Sequence, residues 1–212
     1  MIYVPGRCLF IHIPRTAGTS IKTAFIRHVN PLSGYMVQMT DMPYRFRRHA
    51  RAAELAVIVS NWFRITRFAI IRNPWTALPS MYRYWHALAD KHKGNLKTIG
   101  SKLRNQIELV LENTFAEWVP KHCRYLEPGQ GHWHHFCLSA TGEPLGVKAY
   151  KFEELDKWWS EIAELLRIPT DTPLPKLNQG KDVPTEWTDE SVAWVRQHFS
   201  DDISRFDYPR EP

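Results

Sequence analysis

Two short, largely apolar runs, each followed by a polar loop and a helical pattern, constrain the fold of this chain more than any other feature. Residues 8–13 and 67–71 are too short to be buried helices and are typical of strands buried on both faces. Apolar residues at helical spacing follow each run, over 21–28 and 78–89. Strands that alternate with helices predict an α/β fold with three layers, in which helices flank a central, mainly parallel sheet.

Further patterns extend this architecture along the rest of the chain. They predict, in order, a helix over 103–118, a strand over 147–152, a helix over 155–166 and a helical segment over 192–206. Residues 170–187 are rich in proline and predict a long irregular loop, a kind of loop that often carries function. We find no internal repeat, and 212 residues suit one core, so the sequence predicts a single domain over 1–212.

Charge, hydropathy and cysteine content narrow the classes of ligand and location. The formal net charge of +6 favours anionic ligands such as nucleotides, acidic sugars, nucleic acids or membrane surfaces. No apolar run approaches the roughly 20 residues that span a bilayer, and no secretory leader precedes residue 8. Three cysteines are an odd, sparse set and do not suggest a disulfide framework. We therefore expect a cytoplasmic protein without a membrane span.

The loop at residues 14–20 has the features of an anion-binding cradle. It joins a predicted strand to a predicted helix, whose first N–H groups and dipole attract negative charge. Gly18 lets the backbone approach a ligand closely, and Arg15 offers a planar guanidinium for oxyanions. Three hydroxyl side chains add donors: Thr16, Thr19 and Ser20. A plain strand-to-helix turn capped by Thr19 would explain the same residues, so this loop alone leaves both interpretations open.

The same loop differs from the phosphate-binding loop of ATPases and GTPases. That motif, G-x-x-x-x-G-K-[ST], requires a lysine directly before the hydroxyl residue to hold the β- and γ-phosphates. Here Gly18 precedes Thr19 and Thr19 precedes Ser20, so no lysine occupies that place. The difference argues against an ATPase or a GTPase.

A second candidate anion site follows the strand predicted over 67–71. Arg72 lies at the end of that strand, and Pro74 suits the first turn of the helix that follows. Ser80 is rotated about 200° from Leu78, so packing of the apolar stripe does not require it. Arg72 and Ser80 would clamp one phosphate by charge and hydroxyl, although a surface arginine and an ordinary helical serine remain the alternative.

Together these segments resemble the sulfotransferases that use 3′-phosphoadenosine-5′-phosphosulfate (PAPS), especially the carbohydrate-type branch with its family 2 members. Residues 10–20, FIHIPRTAGTS, are similar to that family's 5′-phosphosulfate loop, F-x-H-x-P-K-T-G-G-T-S. Residues 68–82 are similar to its 3′-phosphate motif, R-N-P-x-x-R-L-x-S-x-Y, which begins here at RNP. Three later segments are similar to further family landmarks: 151–155, 174–178 and 201–208. The resemblance covers nearly the whole chain in order.

This resemblance implies a P-loop-like sulfotransferase fold and transfer of a sulfuryl group from PAPS to an acceptor hydroxyl, with a carbohydrate as the favoured acceptor. Adenosine 3′,5′-bisphosphate would be the nucleotide product, no metal would be required, and nucleic acid is not an expected partner. The residues implied in binding the nucleotide are Arg15, Thr16, Ala17, Gly18, Thr19, Ser20, Arg72 and Ser80.

Two positions depart from the family pattern. The family usually has lysine where this chain has Arg15, and that lysine is held to stabilise the bridging oxygen as the S–O bond breaks. Arginine is always charged and donates in a planar fork, so Arg15 is a candidate for the same role. Ala77 occupies a position where arginine is common, and we expect weaker donor binding as a result.

His49 is the candidate for the base that removes the acceptor proton. Histidine is the usual general base near neutral pH, and His49 lies between the two loops along the chain. The resemblance agrees, since related carbohydrate enzymes place a basic histidine in this stretch. A solvated histidine in a basic run is the alternative. His12, within the first predicted strand, is interpreted as structural.

The acceptor is expected to contact basic residues near His49 and on the proline-rich loop. A basic cluster could attract an acidic sugar, although a solvated basic face is equally consistent with it: Arg45, Arg47, Arg48 and Arg51. The acceptor-binding candidates are Arg48, Arg51, Asn178 and Lys181. The last two lie on the proline-rich loop, which would then cover the nucleotide.

Three other functions are consistent with parts of the sequence. A zinc site is suggested by a dense group whose spacing fits no zinc motif: His122, Cys123, His132, His134, His135 and Cys137. A P-loop-like nucleotide kinase would need a Walker lysine and a strand-end aspartate, and neither is present. A non-enzymatic polyanion or nucleic-acid binder would explain the charge but not the paired loops.

Overall fold

The computed structural model describes residues 1–28, 49–93, 95, 99–177 and 181–212. Within them the chain forms an α/β fold on a four-stranded sheet. The strands lie in chain order: β1 (Ile2–Val4), β2 (Cys8–Ile11), β3 (Thr66–Ile71) and β4 (Val147–Lys151). β1 runs antiparallel to β2, whereas β2, β3 and β4 are parallel, so the sheet is mostly parallel, as the sequence predicts.

Helices make up most of the remaining described chain. They are α1 (Gly18–His28), α2 (Ala52–Ala56), α3 (Pro74–His92), α4 (Ser101–Leu111), α5 (Phe115–His122), α6 (Gly131–Cys137), α7 (Leu155–Leu165), α8 (Asp189–His198) and α9 (Ser200–Arg205). α3 begins as predicted, because Asn73 Oδ1 accepts the Trp75 N–H at 3.0 Å and Pro74 occupies the first helical position. In the ranges described, no helix is long and apolar enough to cross a membrane.

The chain divides into two compact units, each built from two separate segments. The first unit contains Met1–Arg72 and His132–Leu177, and the second contains Asn73–Gly131 and Asn178–Pro212. The sheet, α1 and α7 belong to the first unit, whereas α3, α4, α5, α8 and α9 belong to the second. The single domain over 1–212 stays a prediction of the sequence.

The core of the first unit forms where α1 and α7 pack on one face of the sheet. The strands contribute Cys8, Phe10, Phe68, Ile70 and Tyr150, and the helices contribute Ile21, Ala24, Phe25, Leu155, Trp159, Ile162 and Ala163. On the opposite face, Leu9, Ile11, Ala69 and Ile71 are also fully buried. Burial on both faces explains the unbroken apolar sequence of β2 and the end of β3, since each large side chain contributes roughly 1.5–3 kcal/mol.

The second unit is organised around an aromatic cluster. The Tyr82 ring on α3 contacts Phe115 and Trp118 of α5 at centroid distances of 5.5 and 5.3 Å, and its hydroxyl donates to Asn113 O at 2.8 Å. Trp187 contacts Phe115 at 4.7 Å. Tyr82 is buried, as expected for a residue of the apolar pattern predicted over 78–89.

Three of the differences from the sequence prediction have a clear physical reason. β1 was not predicted, because three residues at an antiparallel edge carry too short a pattern. The helix predicted over 103–118 is two helices, because Thr114 and Glu117 form a capping box that starts α5. α6 was not predicted either, because its histidine-rich sequence lacks a clear apolar stripe.

Gly131, where α6 begins, is a position at which we expect one added methyl group to destabilise the fold. Its φ is +60°, and a Cβ there would lie less than 3.0 Å from the buried Asp202 carboxylate. Because left-handed backbone and overpacking each destabilise, Gly131→Ala should lower the free energy of unfolding by about 2–4 kcal/mol, measured by chemical denaturation.

Gly6→Ala is the matched control for this variant. Gly6 also has a positive φ, of 70°, but a Cβ there would meet open space. It should therefore lose only about 1 kcal/mol, the contribution of the backbone alone. Equal losses in the two variants would show that the Asp202 contact does not matter.

Candidate functional site

The loop between β2 and α1 has a backbone suited to anions. Arg15 and Ala17 both have left-handed φ values, 64° and 60°, although neither is glycine. Such conformations cost roughly 1–2 kcal/mol each and concentrate at functional sites. Ala17 is followed by Gly18, the first residue of the right-handed helix α1. A left-handed residue beside a right-handed one turns successive N–H groups toward one concave surface, which can hold an anion.

Two hydroxyl groups, one in this loop and one in the first turn of α1, form hydrogen bonds to the backbone. The Thr16 hydroxyl donates to Ile13 O at 2.8 Å, and Thr16 is buried. Ser20 Oγ accepts the N–H of Leu177 at 3.4 Å, and this hydrogen bond connects the proline-rich loop to α1. These side chains therefore have structural contacts, and their predicted contacts with a nucleotide stay predictions. Thr19, predicted as a third donor, is half-buried.

Gly18 and His12 pack directly against each other beneath the loop. A Cβ on Gly18 would lie less than 3.0 Å from the His12 ring, so only glycine fits here without a shift. His12 is buried, and its ring stacks on Phe10 with a centroid distance of 5.8 Å. These contacts agree with the structural interpretation of His12. They also explain why glycine is required at position 18 for packing, in addition to its predicted close approach to a ligand.

His49 lies next to this loop. Its Nδ1 is 2.7 Å from His12 O, and the two imidazole rings are 4.5 Å apart. A carbonyl accepts and cannot donate, so Nδ1 carries the hydrogen in this contact. In the neutral ring the lone pair is then on Nε2, which is the tautomer that a general base needs. The structure thus brings the predicted base to the predicted phosphate loop.

Arg72 also reaches this loop. Its Nη1 donates to Arg15 O at 3.2 Å, and its guanidinium carbon lies 4.2 Å from the centroid of the Phe152 ring. The strands β2, β3 and β4 are parallel, so the residues that follow them meet at one edge of the sheet, where α/β proteins usually bind ligands. Phe152 was not among the predicted site residues, although its place directly after β4 was the available signal.

Two further predicted site residues, Ser80 and Lys181, belong to the second unit. Ser80 is half-buried on α3 in the second unit, and Ala77 on the same helix is buried. Lys181, also in the second unit, donates to Asp90 Oδ2 at 2.7 Å, and this hydrogen bond holds the pKa of the Asp90 carboxyl below its usual range. Lys181 is therefore engaged in an ion pair, and its contact with an acceptor stays a prediction.

The basic cluster is described only in part. Arg51 precedes α2 and its guanidinium lies 3.7 Å from Glu54 Oε1, with both side chains partly exposed. Arg48 and Asn178 lie outside the described residues, as do Arg45 and Arg47. The cluster as an acceptor site stays a prediction.

The histidine- and cysteine-rich segment shows no metal arrangement. In the part of the chain that is described, no group of three or more His, Cys, Asp or Glu side chains could hold a metal ion. His122 instead stacks on Trp118 at 4.3 Å and bonds Gln106 through Nδ1, and burial lowers its pKa to about 4. The cysteines are buried, and burial raises the pKa of the Cys8 thiol to about 12.

Comparisons with protein-family models, curated proteins and solved structures give no significant match. Function therefore rests on the chemistry of the site. That site consists of the 14–20 loop with its two left-handed residues, the imidazole of His49, and Arg72 directly after β3.

Proposed function

We propose that this protein is a sulfotransferase that moves a sulfuryl group from PAPS to an acceptor hydroxyl, with a carbohydrate as the acceptor. The observation that carries the proposal is the hydrogen bond from Arg72 to Arg15 O. PAPS has a phosphate at the 3′ position and a phosphosulfate at the 5′ position, so its binding requires two anion-binding segments close together. A P-loop-like arrangement of three layers, predicted from the family resemblance, is part of the proposal.

The proposed reaction is an in-line displacement at sulfur. The acceptor oxygen forms a bond to sulfur, and the bond from sulfur to the bridging phosphate oxygen breaks. The acceptor proton passes to His49 Nε2, and adenosine 3′,5′-bisphosphate leaves with the bonding electrons. Arg15 and the N–H groups where α1 begins stabilise the charge on the transferring and leaving oxygens. Arg72 binds the 3′-phosphate.

Calorimetric titration with adenosine 3′,5′-bisphosphate, with ADP as the comparison nucleotide, tests the proposal. We expect the bisphosphate to bind at least tenfold more tightly than ADP. Arg72→Ala should lower affinity for the bisphosphate by about 10- to 100-fold, since a hydrogen bond between charged groups contributes roughly 1.5–3 kcal/mol.

Arg64→Ala is the matched control, because it removes the same charge from an exposed position. It should bind both nucleotides as the wild type does. Equal or absent binding of the two nucleotides by the wild type would contradict the proposed function. Weak binding that disappears at moderate salt without nucleotide preference would favour the polyanion binder instead.

A further inference from the structure

Phe152 lies beside Arg72 but has no role in the reaction proposed above. It is the first residue of the 3-10 turn Phe152–Glu154, directly after β4. Its half-buried ring packs against the core cluster of the first unit on one side. The Arg72 guanidinium lies over the ring, with its central carbon 4.2 Å from the ring centroid. This distance is well within the range of a favourable cation–π interaction.

Strand register places Phe152 beside Arg72. β3 and β4 are parallel, and Ile71 lies opposite Lys151 in their register. The residues that directly follow the two strands are therefore Arg72 after β3 and Phe152 after β4. Because the strand pairing extends to Ile71 and Lys151, the backbone brings the starting points of the two side chains close together.

Two contacts together restrict the Arg72 side chain. The guanidinium carbon lies over the Phe152 ring, and Nη1 donates to Arg15 O at 3.2 Å. Arginine has several rotatable bonds, and holding it in one orientation before a ligand arrives lowers the entropic cost of binding. An arginine held in this way donates to an oxyanion in a fixed plane.

We propose that Phe152 is a positioning residue that holds Arg72 in the orientation that binds the 3′-phosphate, and so sets the preference for a nucleotide phosphorylated at both ends. This inference rests on the proposed function. It assigns to Phe152 no contact with the donor. Its effect passes through Arg72 and should appear only with ligands that carry a 3′-phosphate.

The test compares adenosine 3′,5′-bisphosphate with adenosine 5′-monophosphate, which lacks the 3′-phosphate, by calorimetric titration of the full chain. Phe152→Leu should lower affinity for the bisphosphate by roughly 3- to 30-fold, the range of a cation–π interaction, and change affinity for the monophosphate less than twofold. Phe152→Tyr keeps the aromatic face and should restore the bisphosphate affinity. Phe152→Met, a second non-aromatic variant of similar volume, should behave like Phe152→Leu and serves if that variant folds poorly.

Phe63→Leu is the control, since Phe63 is an exposed phenylalanine whose ring lies 6.0 Å from a different arginine, Arg67. It should leave both affinities unchanged. If the wild type does not prefer the bisphosphate over the monophosphate, the proposed function itself fails. If the wild type has the preference but the non-aromatic variants lose affinity for both nucleotides equally or for neither, the role of Phe152 is overturned while the proposed function stands.

Discussion

Replacement of His49 by alanine is expected to lower the turnover of sulfuryl transfer by about 10²- to 10⁴-fold, the usual contribution of a positioned general base. Binding of adenosine 3′,5′-bisphosphate should not change, because the proton moves only in the chemical step. The structural reason is the 2.7 Å contact between His49 Nδ1 and His12 O, which leaves the lone pair on Nε2. Rates are measured by transfer of labelled sulfuryl groups from PAPS to a panel of oligosaccharides, and binding by calorimetry.

His198→Ala is the matched control for this variant. His198 Nδ1 also contacts a backbone carbonyl, that of Trp194 at 2.9 Å, but it lies on α8 in the second unit. It should keep wild-type turnover. That result would show that the loss of activity in His49→Ala is specific to His49 and does not follow from removing any histidine bonded to a backbone carbonyl. A His49→Ala enzyme with full activity would remove His49 from the mechanism.

Gly18→Ala should reduce affinity for adenosine 3′,5′-bisphosphate by about 10- to 100-fold, because displacing the loop removes a hydrogen bond to a charged phosphate, which contributes roughly 1.5–3 kcal/mol. The added Cβ would lie less than 3.0 Å from the His12 ring, so either the loop or the ring must move. Overpacking of this kind should also lower the free energy of unfolding by about 1–3 kcal/mol. Titration calorimetry and chemical denaturation measure the two effects.

Removal of the His12 side chain tests whether its clash with the added Cβ causes the loss of affinity in Gly18→Ala. In the double variant His12→Ala with Gly18→Ala the imidazole is absent, so affinity should recover relative to Gly18→Ala alone. Gly100→Ala, at a helix start where a Cβ would meet open space, should bind as the wild type does. Wild-type affinity in Gly18→Ala, or no recovery in the double variant, would show that the contact with His12 does not set the loop.

The parts of the fold that the sequence predicts are those with long, continuous patterns. β2 and β3 are buried on both faces and so are apolar without interruption, and α7 carries a full apolar stripe. β1 has only three residues, and the pattern of apolar residues runs across the capping box between α4 and α5. The period of apolar residues predicts which faces are buried. It does not predict where capping hydrogen bonds end one helix and start the next.

The members of the candidate site were proposed from residue types, whereas the contacts among them come from the structure. The cradle at 14–20, the arginine after β3 and the candidate base all follow from chemistry and order along the chain. The tautomer of His49 depends on a carbonyl 37 residues away, and the ring beneath Arg72 depends on the register of β3 with β4. The Thr16 hydroxyl donates to Ile13 O, and this hydrogen bond cannot be predicted from the residue type of Thr16 alone. Such pairings are set by tertiary structure.

The interleaved segments of the two units impose an order on biosynthesis. As the chain leaves the ribosome, the first unit has all of its residues once Leu177 has emerged, whereas the second still lacks Asn178–Pro212. Until then, α3, α4 and α5 are on a nascent chain without α8 and α9 to pack with them. Domains tend to fold as units as soon as they are complete. The sheet edge that carries Arg72 and the 14–20 loop can therefore form first, while the aromatic residues of the second unit can pack fully only after its second segment has been synthesised.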